Sequence, residues 1–308
     1  MSKNTLAKFT TRIAAAAGLS TLLGLGGSLL LSSYIMGGRR QTLAEAVAWQ
    51  KSHYDISWFD AIETETYTVQ GFKGYTLHVQ LCKNPSADSR KYVILTHGYS
   101  DNRFGMLKYM KIYLDRGYHC IIYDLRGHGE NAVFPCTYGT FEGRDLCALI
   151  EDTRSRYGDD ILLGLHGESL GSATTVTALG SRPNVAFAVA DCGFADIENV
   201  LRGSMKHYHL PSFFVDLASV GAKIRCGTSL KEMRPIDHLK FCMIPVMFIH
   251  GQDDAFILPE NSLRMHDAVS GYKEYHLIPG ATHANSVLTR PDMYRQYVNS
   301  FLDHVEGA

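Results

Sequence analysis

A serine, a carboxylate and a histidine, far apart along the chain, have the types and the order needed for acyl transfer. Ser169 sits at the centre of Gly167-Glu168-Ser169-Leu170-Gly171. A serine hydroxyl is a weak nucleophile at neutral pH. It needs a base to take its proton, a group to orient that base, and donors for the developing oxyanion. Later in the chain come His250-Gly251-Gln252-Asp253-Asp254 and then Gly280-Ala281-Thr282-His283, which supply the order serine, acid, histidine.

The elements around these residues are what make the pattern specific. The apolar run 161–165 before Ser169 reads as a buried strand, and the small-residue segment 172–179 after it is helix-compatible. A serine on so tight a strand-to-helix turn is pushed out of the backbone path, within reach of a substrate and a base. Residues 245–249 form a strand-like apolar run that ends at the two aspartates, so either Asp253 or Asp254 could hold an imidazole. Residues 275–278 form another such run, and it ends at the loop carrying His283. His283 is the expected general base. His250 is expected to shape its loop rather than to act. Asp191, after the strand-like 185–189, is a third candidate for the acid. The oxyanion donors should be the N–H of Leu170, at the start of the helix, and that of Tyr99. The latter belongs to the loop His97-Gly98-Tyr99-Ser100 after the strand 92–96.

Four blocks together resemble the α/β-hydrolase superfamily: Leu95-Thr96-His97-Gly98-Tyr99, Tyr123-Asp124-Leu125-Arg126-Gly127-His128-Gly129, the block around Ser169, and the pair of segments that end in Asp254 and His283. The resemblance runs from about Tyr67 to Val305. Within the superfamily the chain is similar to serine-aminopeptidase-like and bacterial esterase-like members, including membrane-anchored ones. In related sequences the acid stands three residues before a Val or Ile. Asp254 before Ile257 fits that spacing and Asp253 does not, so the resemblance selects Asp254. It implies a mostly parallel central sheet with helices on both faces. Two departures stand out. Glu130-Asn131-Ala132 replaces a small turn that often contains Ser, and Leu258 intervenes before Pro259. Ser169 excludes the members that use an aspartate nucleophile.

Composition bounds the rest. The chain has 308 residues, with 30 Lys and Arg against 31 Asp and Glu, so the near-balance and the lack of a dense basic tract argue against nucleic-acid binding. Seven cysteines leave at least one without an internal partner, and no spacing suggests a zinc site. Residues 13–38 carry no charge. As a helix they would span roughly 39 Å at about 1.5 Å per residue, against an apolar bilayer core of about 30 Å. A cleaved signal peptide and a buried helix of the globular part compete with an uncleaved signal anchor. The anchor is preferred because the run is long and Tyr34-Ile35-Met36 is a poor cleavage site. The expectation is therefore a single-pass membrane segment over residues 1–40, with the catalytic domain outside the cytoplasm, and an α/β-hydrolase domain over 41–308.

Within that domain, residues 41–58 resemble an amphipathic helix that docks on the membrane or on the core. Residues 64–69 and 75–81 read as a hairpin. Between Gly193 and Phe241 no clean strand occurs. Ile197, Leu201, Met205 and Tyr208 recur at helical spacing, and Phe213, Phe214, Leu217 and Val220 follow. This stretch, about 194–240, is expected to be a helical lid lining the acyl or leaving-group pocket. The function expected is a serine hydrolase that cleaves carboxylic esters of small-molecule acyl substrates through an acyl-enzyme, without metal or organic cofactor. Peptidase, aminopeptidase-like and acyltransferase chemistry use the same residues. A tethered, non-catalytic binding protein is the alternative of another kind.

Overall fold

The computed structural model describes residues 24–37, 40–86 and 89–307. Eight strands form one sheet in the order β1-β2-β4-β3-β5-β6-β7-β8. They are β1 (Thr64–Gln70), β2 (Thr76–Cys82), β3 (Lys91–Thr96), β4 (His119–Tyr123), β5 (Leu162–Glu168), β6 (Phe187–Asp191), β7 (Val246–Gly251) and β8 (Lys273–Ile278). β1 and β2 form the expected antiparallel hairpin, and β2 pairs antiparallel with β4. From β4 through β8 every neighbour is parallel.

Alternation along the strands divides the core between the two faces of the sheet. Ile94, Leu165, Ala188 and Phe248 point to one face. Val93, Leu95, Val189, Met247 and Ile249 point to the other. The first face is covered by α4 (Thr140–Tyr157) and α5 (Leu170–Leu179), the second by α3 (Leu107–Leu114) and α10 (Pro291–Gly307). Burial on both sides explains why these strands read as continuous apolar runs rather than as alternating ones.

The interval between β6 and β7 is helical, as its spacing predicts. It contains α6 (Ile197–His207) and α7 (Phe213–Cys226). Asp196 caps α6 by accepting the Asn199 N–H at 2.8 Å. The remaining helices are α2 (Leu43–His53), α8 (Glu260–Ala268) and α9 (Ser286–Thr289).

The N-terminal expectation needs correction where it can be checked. Residues 1–23, which hold most of the expected anchor, lie outside the described residues. Residues 24–36 are helical, here α1, and this helix packs on the protein rather than standing apart from it. Ser28, Ser32 and Met36 are buried. A Cβ added at Gly221 of α7 would lie 2.1 Å from the Ser28 carbonyl oxygen, so small residues let the two helices meet at their backbones. The Ile35 carbonyl accepts from Tyr99 at 3.1 Å and from Tyr138 at 2.6 Å. The small side chains that lower the apolar character of this run are therefore its packing surface. Among the described residues no helix is long and apolar enough to cross a membrane.

Candidate active site

Ser169 stands at the end of β5 and immediately before α5, with φ 53° and ψ −110°. This left-handed φ is unfavourable for a residue with a side chain. Packing holds it there. The Ser169 N–H donates to the Asp191 carbonyl at 2.9 Å. A Cβ at Gly171 would lie 1.9 Å from the Thr96 oxygen, so only glycine lets α5 approach the end of β3. The same close packing brings the 97–100 loop against the serine, with the Cβ position of Gly98 3.5 Å from Ser169 Cβ. Tyr99 follows directly on that loop. Leu170 N–H is the first of the helix-terminal donors that have no partner within the helix.

His283 lies on the loop after β8. Its Nε2 is 2.9 Å from Ser169 Oγ and its Nδ1 is 2.7 Å from Asp254 Oδ2. A carboxylate can only accept, so Nδ1 carries the proton and Nε2 is left to accept from the serine hydroxyl. Asp254 is itself fully engaged. Its Oδ1 accepts the N–H groups of Phe256 and Ile257, each at 2.9 Å. Its Oδ2 also accepts from His250 Nε2 at 3.1 Å. Burial pushes the Asp254 carboxyl up, but hydrogen bonds from His250 and His283 and the nearby His283 charge outweigh it, leaving the group well below the usual carboxylate range. The three-residue spacing to Ile257 thus has a physical basis, since it lets one carboxylate oxygen close the turn while the other faces the imidazole.

The rival residues are placed elsewhere. Asp253 is exposed. Asp191 is buried beneath the elbow, where it accepts from Tyr109 at 3.0 Å. Burial and the neighbouring Glu168 push its carboxyl up to about 6. His250 does more than shape a loop. Its Nδ1 meets Ser262 Oγ at 2.7 Å while its Nε2–H is shared between Asp254 and the Ile257 carbonyl, so it holds the Asp254 carboxylate in place.

Several residues at the site escaped the sequence reading. A cavity of about 480 Å³ opens at Ser169, and α2 walls it through Ala46, Trp49 and Gln50. The segment expected to be an amphipathic helix over 41–58 is α-helical only over Leu43–His53, without a clear apolar face, and it lines this cavity. Lys108 of α3 and Glu168, next to the serine, form an ion pair whose side chains are each only 4 % exposed. Lys108 Nζ also donates to the Ala284 carbonyl at 3.3 Å, tying the elbow to the histidine loop. Ala284 has φ 57°, a second strained position beside a key side chain. Asp101 lines the same cavity, and burial raises its carboxyl to about 6.

The Arg-Gly-His-Gly block and its unusual continuation act as scaffold. Arg126 pairs with buried Asp145 at 2.6 Å. Asn131 Oδ1 accepts the His78 N–H at 2.9 Å while Nδ2 donates to the Leu125 carbonyl at 3.1 Å, which staples β2 to the loop after β4. All seven cysteines are unpaired. Among the described residues no group of His, Cys, Asp and Glu is arranged to hold a metal ion.

Comparison with known proteins agrees with this architecture. The family description that matches, over residues 91–218, is that of the alpha/beta hydrolase fold. An uncharacterised protein of Bacillus subtilis, YqkD, is 29% identical over 257 residues, covering 81% of this chain and 83% of that protein. The esterase Pf2001 of Pyrococcus furiosus superposes with a TM-score of 0.66 at 20% identity, covering 79% of this chain and 92% of that one. An esterase from Thermogutta terrifontis superposes at 0.55 with 19% identity, covering 78% and 99%. The sequence blocks, the sheet order and these similarities converge on one architecture, the alpha/beta hydrolase fold.

Proposed function

We propose that the protein is a serine hydrolase that cleaves carboxylic esters, with Ser169 as nucleophile, His283 as general base and Asp254 as the acid that orients it. One observation carries the reading: the unbroken hydrogen-bond relay Ser169–His283–Asp254, at 2.9 and 2.7 Å, at the mouth of a cavity. His283 Nε2 takes the hydroxyl proton as Ser169 Oγ attacks the carbonyl carbon. Asp254, held ionised by its donors, stabilises the imidazolium that forms. The Tyr99 and Leu170 N–H groups receive the oxyanion. A donor of this kind is worth about 2.7–4 kcal/mol in the transition state. His283 then passes its proton to the leaving alcohol, and water repeats the cycle to free the acid. The expected lid over about 194–240 contributes no residue to the cavity at Ser169, whose wall is α2 instead; its α6 lines a neighbouring groove.

The esterases among the similar structures support ester substrates as the first to try. The full-length protein and its Ser169→Ala variant should be compared on p-nitrophenyl acetate. A drop in kcat of roughly 10⁴–10⁶-fold is expected. Equal rates would remove Ser169 from the chemistry.

A further inference from the structure

We propose that the α2 side of the cavity at Ser169 binds an ammonium group of the substrate, accepted by the carboxylate of Asp101 and the side-chain oxygen of Gln50. This names a substrate class for the hydrolase reading above and rests on that reading. Both residues line the cavity. Gln50 is 1 % exposed. Its Nε2 donates to the Gly105 carbonyl at 3.3 Å, which fixes the orientation of the amide and leaves Oε1 buried with no hydrogen-bond partner. A buried acceptor left unsatisfied is unfavourable, and one on a cavity wall can be satisfied by a donor that enters. Asp101 shows the same lack. Its Oδ1 accepts the Asn102 N–H at 2.8 Å, and among the described residues no donor reaches Oδ2. The two groups meet at Gly105. A Cβ there would overlap Asp101 Oδ2, and the carbonyl of the same residue holds Gln50.

Charge decides what the donor is. Lys108 and Glu168 line the cavity too, but they neutralise each other. Asp101 is left as the uncompensated charge. With its carboxyl raised by burial to about 6, it is ionised at pH 7 without a counter-ion. A primary ammonium answers both lacks, with three N–H donors and a positive charge, whereas an alcohol brings one donor and no charge. The Trp49 ring lines the same wall and lies 5.7 Å from Lys108 Nζ, so its face already accommodates a cation. The Asp101 N–H donates to the Gly98 carbonyl at 3.4 Å, which sets the subsite beside the expected oxyanion loop. Trp49 and Gln50 precede residues 91–218, so this wall lies outside the part of the chain that matches the alpha/beta hydrolase description.

The ammonium could belong to the acid or to the alcohol, and three substrate pairs cover both. Each sets an amine against the ester with CH₃ in place of NH₃⁺: alanine methyl ester against methyl isobutyrate, methyl 6-aminohexanoate against methyl heptanoate, and 6-aminohexyl acetate against heptyl acetate. The readout is the amine-to-isostere ratio of kcat/KM at pH 7, compared between variant and wild type, which cancels the intrinsic reactivity of each ester. In Asp101→Asn the Asn102 N–H keeps the amide oxygen at the Oδ1 position, so the NH₂ takes the place of Oδ2 and meets the ammonium with a donor. The ratio for at least one pair should fall by about 10–150-fold, the range of a hydrogen bond to a charged group. Gln50→Met removes the other acceptor at similar volume and should lower the same ratio by less. Should Asp101→Asn lose turnover of every ester, the Gln50→Met ratios decide. All three ratios staying within about twofold of wild type overturns the subsite alone, because Ser169-dependent turnover of the neutral esters still upholds the hydrolase reading. No hydrolysis of any ester and no labelling by a fluorophosphonate overturns the hydrolase reading and the subsite with it.

Discussion

Replacing Asp254 by Asn tests the orientation of the relay, because the structure dictates which way the amide must turn. Oδ1 accepts two backbone N–H groups, from Phe256 and Ile257. An NH₂ placed there would face two donors, so the amide oxygen must take that position. The NH₂ then occupies the place of Oδ2, facing His283 Nδ1 and the His250 Nε2–H. It donates to Nδ1, which forces the proton of the imidazole onto Nε2. That nitrogen can no longer accept the Ser169 proton. Loss of the correct tautomer in this way lowers kcat by about 10⁴-fold, or about 5.4 kcal/mol at roughly 1.36 kcal/mol per decade. The assay is steady-state hydrolysis of p-nitrophenyl acetate, with circular dichroism to show that the fold persists. Asp253→Asn is the control, since that side chain is exposed and should change kcat by less than about twofold. Asp254→Asn retaining a tenth or more of wild-type activity would refute the reasoning, as would a larger loss at Asp253.

Three further substitutions probe the support beneath the elbow. Lys108→Met leaves the Glu168 carboxylate buried without its counter-charge and should cost about 3–5 kcal/mol in urea unfolding; adding Glu168→Gln should recover part of that loss, and an additive double variant would contradict the pairing. Asp191 has its carboxyl raised from 3.8 to about 6 in the folded protein, so its contribution to stability is present below pH 4 and lost as pH rises toward 6. The displacement corresponds to on the order of 3 kcal/mol at most. Asp191→Asn should therefore be more favourable relative to wild type at pH 8 than at pH 4 in denaturant titrations, and an unchanged difference would show that the buried carboxyl is not strained.

Much of this architecture is legible in the chain because it rests on local signals. Apolar runs ending in Gly-rich turns mark β3, β5 and β7. The Gly167-to-Gly171 spacing marks the elbow, since the close approach of Gly171 to Thr96 admits no side chain. Helical spacing of Ile197, Leu201 and Met205 marks α6. What escapes is long-range. The helical reading of 41–58 does not say that Trp49 and Gln50 will roof a cavity at a serine more than a hundred residues away. Lys108 sits among Lys and Tyr residues that read like any half-exposed helix, and only the tertiary fold brings it to Glu168. The uncharged run over 24–36 has the same composition whether lipid or protein surrounds it. Ser28 and Ser32 become intelligible only once α7 is seen against them.

The central claim is that the 169 hydroxyl is activated by the imidazole beside it. Treating the full-length protein with a fluorophosphonate and mapping the adduct by peptide mass spectrometry tests it most directly. The account predicts one adduct, on Ser169, formed far more slowly in His283→Ala. An adduct on another residue, or undiminished labelling without His283, would contradict it.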